Sequence, residues 1–133
     1  MTHSIYPALR FKKNAKTALQ WYCSIFPNSQ IMQEHDTALK VQFAGVTFIG
    51  INGGPPFTPN PSISFMVICE SRTEIDKYWK QLIDAGFARM ELGQYPWSDY
   101  YGWLQDQHGF NWQLYLGKLS DVNQQKIVPT LMY

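Results

Sequence analysis

Charge, cysteine and long apolar runs are all scarce in this chain, and each scarcity argues against a class of function. Only 16% of its 133 residues are Asp, Glu, Lys or Arg, and eleven basic against ten acidic side chains leave a formal net charge of +1. With no run of one sign to follow a phosphate backbone or an acidic bilayer, neither nucleic acid nor a membrane is an expected partner. The two cysteines, Cys23 and Cys69, stand far apart, with no Cys-x-x-Cys spacing and no neighbouring histidine. Zinc or redox chemistry is therefore not indicated, and both read as small core residues. No apolar stretch nears the roughly 18 to 20 residues that span a bilayer, and Met1-Thr2-His3-Ser4 lacks the basic and apolar regions of a signal peptide. A soluble, cytoplasmic protein is expected. What the chain has in surplus is aromatic area: five Trp, eight Tyr and eight Phe, 16% of all residues.

Two stretches carry helical spacing. Ala15, Ala18, Leu19, Tyr22, Cys23 and Phe26 form one stripe between Asn14, a candidate cap, and the stop Pro27-Asn28. Ser71-Arg72-Thr73-Glu74 has the form of a capping box and opens a second helix, with the stripe Ile75, Tyr78, Trp79, Leu82 and Ile83 and an end at Gly86. Strands are predicted at Ser4–Phe11 before the first helix, then at Gln30–Glu34, Ala38–Phe43 and Val46–Ile51, with turns at Asp36-Thr37 and Ala44-Gly45. Around the second helix they fall at Ser62–Cys69, Phe87–Leu92, Tyr101–Gln105 and Asn111–Tyr115, the last three separated by an aromatic loop and by Asp106-Gln107-His108-Gly109.

The order β-α-β-β-β therefore occurs twice, which points to an internal duplication. Within a single domain of residues 1–133, the modules span 4–52 and 62–116. They are joined by a linker, 53–61, containing four prolines, and followed by a tail, 117–133, whose apolar end suggests docking on a surface. One module alone leaves an apolar sheet face bare, so two copies should cover each other. The expected fold is α+β, its two modules forming a curled, partly open, barrel-like sheet with helices outside and a trough within.

This order resembles that of the vicinal oxygen chelate superfamily of glyoxalase, bleomycin-resistance and dioxygenase proteins, and more narrowly its PhnB-like branch. The strings that carry the resemblance are Asn14-Ala15 with Ala18 and Trp21-Tyr22-Cys23-Ser24-Ile25-Phe26-Pro27; Phe48-Ile49-Gly50-Ile51-Asn52-Gly53-Gly54-Pro55; Ile63-Ser64-Phe65; Asp76-Lys77-Tyr78-Trp79; and Gly102-Trp103-Leu104-Gln105-Asp106 through Gly109 to Trp112-Gln113. The resemblance covers residues 4–116 and implies the glyoxalase/bleomycin resistance-like fold and a homodimer. In enzymes of the superfamily it implies a divalent metal held by His, Glu or Gln, two positions from each half. Carried over residue by residue, those positions fall on Pro7, Ile49, Ser62 and Gln113, of which only Gln113 has a usual ligand side chain. No metal and no cofactor are therefore expected. The branch also bears a demethylubiquinone methyltransferase label, which finds no support in a chain without a Gly-rich strand-to-helix loop.

The remaining candidates read mostly as structure. Asp106-Gln107-His108-Gly109 is a turn signature that leaves His108 on a solvated tip, His35 closes a strand at a hairpin, and His3 lies at the terminus. Ser62 and Ser64 share a strand face without an evident base to activate either. The aromatic run Tyr95-Pro96-Trp97-Ser98-Asp99-Tyr100-Tyr101-Gly102-Trp103 suits either closure over a planar ligand or burial against a second subunit. The reading is a metal-free homodimer that binds a small apolar or aromatic molecule, with no catalytic residue assigned. Gln113, Ser62 and Asn52 offer hydrogen bonds, and Phe48, Phe65, Trp97 and Trp103 form walls. The alternatives are a metal-dependent lyase, isomerase or dioxygenase, and a structural or regulatory dimer whose trough is filled by its own side chains.

Overall fold

The computed structural model describes residues 8–11, 14–35, 37–52, 63–119 and 126–131. The chain divides into two compact units, Met1–Phe57 and Thr58–Tyr133. The predicted linker 53–61 lies outside the described residues.

In the first unit, β1 (Ala8–Phe11) leads to α1 (Ala15–Ile25), then β2 (Gln30–Glu34), β3 (Ala38–Phe43) and β4 (Val46–Asn52). The sheet order is β1-β4-β3-β2, with β1 parallel to β4 and the other pairs antiparallel. Ala44 and Gly45 both take positive φ, 49° and 82°, and close the β3–β4 hairpin as the sequence suggests. Ala15, Ala18, Leu19, Tyr22 and Ile25 of α1 are buried, as are Leu39, Val41, Phe43 and Phe48 of the sheet. A side chain at Gly50 would meet Leu19 at 2.5 Å, which identifies the face of β4 that α1 covers. Asn14 does not cap the helix through its side chain. Its place is taken by Asn52, at the far end of β4, whose Oδ1 accepts from Ala15 N at 2.9 Å.

In the second unit, β5 (Ile63–Cys69) leads to α2 (Arg72–Leu82), then β6 (Phe87–Tyr95), β7 (Ser98–Gln105), β8 (Asn111–Leu116) and β9 (Ile127–Leu131). The sheet order is β6-β7-β8-β5-β9, β5 being parallel to β8 and every other pair antiparallel. Among the described residues neither sheet closes on itself. Ser71 caps α2 by accepting from Glu74 N at 3.2 Å, while the Glu74 carboxylate reaches Glu70 N at 3.3 Å, one residue short of the reciprocal bond of a capping box. The helix ends at Leu82, and Ala85 carries the positive φ of 60°. Gly86 serves another purpose: a Cβ there would lie 2.1 Å from the carbonyl oxygen of Gln105.

Two further expectations change. The aromatic stretch is not a loop. Tyr95 pairs with Ser98 across Pro96-Trp97, and β6 and β7 run up to that turn from both sides, with register shifts in β6 absorbing Gly93 and its neighbours. The apolar end of the tail docks as a strand: β9 pairs along β5, and Lys126 at its entrance bonds Glu74 at 2.6 Å.

Candidate functional site

Strand alternation sorts the second sheet into two faces, and Gly102 shows which one α2 covers, because a Cβ there would meet Trp79 of α2 at 2.6 Å. Register then places Gly102, Leu104, Trp112, Leu114, Phe65 and Val67 on the helix side. The opposite face carries Tyr101, Trp103 and Gln105 from β7, Asn111 and Gln113 from β8, and Ser64 and Met66 from β5. Trp103 lies directly across from Gln113, and Gln105 across from Asn111.

On this face the Tyr101 hydroxyl donates to Gln113 Oε1, and Gln113 Nε2 donates to Ser64 Oγ at 2.6 Å. The three residues form a chain across β7, β8 and β5, and all are buried, with at most 4% of each exposed. Burial, with a smaller contribution from Tyr95, pushes the Tyr101 phenol up to about 12, so at neutral pH it stays a proton donor and fixes the orientation of the Gln113 amide. Aromatic rings border the chain. Tyr95 meets Tyr101 edge-on at 5.7 Å and stacks on Trp97 at 5.1 Å, while Trp97, 54% exposed, meets Tyr101 edge-on at 5.7 Å. On the other flank, exposed Arg89 donates through Nε to Asn111 Oδ1 at 2.7 Å and through Nη2 to Gln105 Oε1 at 2.6 Å.

Of the residues expected to bind ligand, the structure groups Trp103 and Gln113, with Trp97 at the rim. Phe48 lies in the α1 core of the first unit, 4.9 Å from Phe43, and Phe65 lies on the α2 side, 5.3 Å from Trp112. Asn52 is occupied with the start of α1. Ser62 lies outside the described residues. Sequence reading missed the roles of Tyr101, Asn111 and Arg89 and weighed Ser64 only as a nucleophile. The two-residue spacings Tyr101/Trp103/Gln105 and Asn111/Gln113 are the signal that groups them on one face.

The turn at Asp106 is built as its signature suggests. Oδ1 accepts from His108 N at 2.8 Å and Phe110 N at 3.1 Å, and Oδ2 from Trp112 Nε1 at 2.8 Å. His108 is half-buried instead of solvated, and burial lowers its basicity against the opposing pull of Asp106. Cys69 is buried and its thiol pushed up to about 12, chiefly by burial, whereas Cys23 is only half-buried.

The metal positions implied by the resemblance do not fit an ion. Ile49 is a hydrocarbon, Gln113 has both ends of its amide engaged, and Pro7 and Ser62 lie outside the described residues. Among the described residues no group of three or more His, Cys, Asp or Glu is placed to hold a metal. A nucleotide-like methyl donor fits no better. The sequence between each strand and its helix contains no glycine, and Asn52 and Ser71 already occupy amides at the two helix starts. Among the described residues no helix is long and apolar enough to cross a membrane.

Residues 3–115 match a family model described as 3-demethylubiquinone-9 3-methyltransferase. Among solved structures, the chain is 32% identical to a putative 3-demethylubiquinone-9 3-methyltransferase, a PhnB protein, from Bacillus cereus, with 86% of this chain and all of that one aligned at a TM-score of 0.76. A fosfomycin resistance protein, FosX, from Listeria monocytogenes shares the fold at 18% identity, over 94% of this chain and 99% of that one, with a TM-score of 0.65. A lactoylglutathione lyase from Agrobacterium tumefaciens does so at 13% identity, over 89% and 96%, with a TM-score of 0.60. No curated protein matches the chain.

Proposed function

The chain belongs to the PhnB-like 3-demethylubiquinone-9 3-methyltransferase family, within the glyoxalase/bleomycin resistance superfamily, and from that premise we propose that it is a metal-free, cytoplasmic homodimer that binds a small aromatic molecule on the helix-free face of the second sheet. The observation that carries this reading is the buried Tyr101–Gln113–Ser64 chain facing Trp103, with Tyr95 and Trp97 at its border. Such a face supplies stacking area together with a few fixed polar groups, the usual make-up of a small-molecule site. Exposed Phe87 and Trp97 add apolar area of the kind a subunit contact covers.

The deciding experiment is thermal unfolding against a panel of planar aromatic metabolites. A saturating ligand should raise Tm by several degrees, and a panel without any rise overturns the reading. About one equivalent of tightly bound zinc, nickel, iron or manganese in protein purified without chelator would favour the metal-dependent alternative. Light scattering of the eluting protein tests the dimer. The self-filled alternative has one observation of its own, the near-complete burial of Ser64 and Gln113, and the same panel separates it from binding.

A further inference from the structure

Arg89 is charged and exposed, yet among the described residues it is paired only with neutral groups. Both of its acceptors are side-chain amides, Asn111 Oδ1 and Gln105 Oε1, and the ion pairs among the described residues are Lys16–Glu34 and Lys126–Glu74. Asn111 is itself buried, with 2% exposed, so the fork is anchored from within the sheet while its charge is left uncompensated. Rings flank the guanidinium: its central carbon lies 5.1 Å from the centroid of Phe87 and 6.0 Å from that of Trp103. The indole Nε1 of Trp103 is buried and donates to no acceptor among the described residues, an arrangement that costs free energy unless a partner arrives. An unneutralised cation and an unmet donor thus occur on neighbouring strands of one face, between aromatic surfaces.

We infer that the molecule bound on this face is an anion, a carboxylate on a planar apolar body, whose oxygens meet the guanidinium of Arg89 and the indole N–H of Trp103. Asn111 and Gln105 are positioning residues that aim the fork. The inference rests on the reading of this face as a ligand site, and its test separates the two.

Binding of 2-naphthoate and of its neutral counterpart 2-naphthamide to the full chain is measured by calorimetry at low salt. Naphthoate should bind about tenfold tighter or better, the range of a charge-assisted hydrogen bond. Arg89→Gln, measured at a temperature where circular dichroism shows it folded, should bring the two within about twofold, and Arg89→Lys should keep part of the preference. In amide spectra the Trp103 indole proton, assigned through Trp103→Phe, should move downfield with naphthoate. If naphthamide binds as tightly as naphthoate, or Arg89→Gln preserves the difference, the anion inference falls and the ligand site stands. If neither compound binds, both readings fail.

Discussion

Each half sets an eleven-residue helix on a sheet, but the two begin it by different means. α2 is capped locally by Ser71, whereas α1 takes its first acceptor from Asn52, which is reached only after three further strands have formed. The helix-free faces differ as well. In the first half, alternation places Gln42, Thr47, Ile49 and Ile51 there, while in the second the face holds the buried hydrogen-bonded chain and its rings. Duplicated order therefore leaves each copy free to solve the helix start in its own way and to specialise one face. In this chain the second half carries the polar and aromatic groups suited to a ligand.

The glycines test the contrast most severely. Gly86→Ala drives a Cβ against the backbone of Gln105, which cannot swing aside, and should cost about 3 kcal/mol or more. Gly50→Ala meets only the end of the Leu19 side chain and should cost about 1–2 kcal/mol. Chemical denaturation of the two variants checks both, and equal losses would break the comparison. Next in size is Gln113→Leu, which strips Tyr101 and Ser64 of their partner within the sheet and should lose about 2–3 kcal/mol. Its counterpart in the first half, Ile49→Leu, should shift stability by less than about 1.5 kcal/mol.

Helix starts come third. Asn52→Ala should lower stability by about 1 kcal/mol, as should Ser71→Ala, while Asn14→Ala should stay within about 0.5 kcal/mol. A large loss at Asn14 would reverse the assignment of the cap.

The pH-dependent effects, which appear in full only outside the neutral range, belong to the second half. Tyr78 and Tyr101 both have folded values of about 12 against an ordinary 10, so the folded state holds these protons more tightly. Stability should fall as pH rises from about 10 towards 12, and Tyr101→Phe should flatten that slope. His108 is shifted the other way. Burial disfavours its cation, so its contribution is present above 6.5 and is lost as pH falls below that value, and urea midpoints across the two windows read both limbs.

Periodicity made the helices and most strands legible in the amino-acid order, because an apolar stripe and an alternating run each demand one geometry. It failed where long-range pairing decides. Nothing local links Asn52 to Ala15, and Gly93, Pro96 and the crowded rings suggest a loop, although shifts in register carry β6 past Gly93 to Tyr95 and leave only Pro96-Trp97 as the turn before β7. The site was half visible. Gln113 stood out through the family resemblance and Trp103 through its ring. Their partners Tyr101 and Ser64, and the separation of Phe65 from them, depend on which face a helix covers, and Gly102 settles that only in three dimensions.

Pro129 sits within β9 opposite Phe65, on the outermost strand of its sheet. An imide nitrogen has no hydrogen to give, so it is tolerated only where it looks away from β5. Any foreign chain laid along that margin would find a gap in the row of donors, and this flank is thereby guarded against fibril-like accretion.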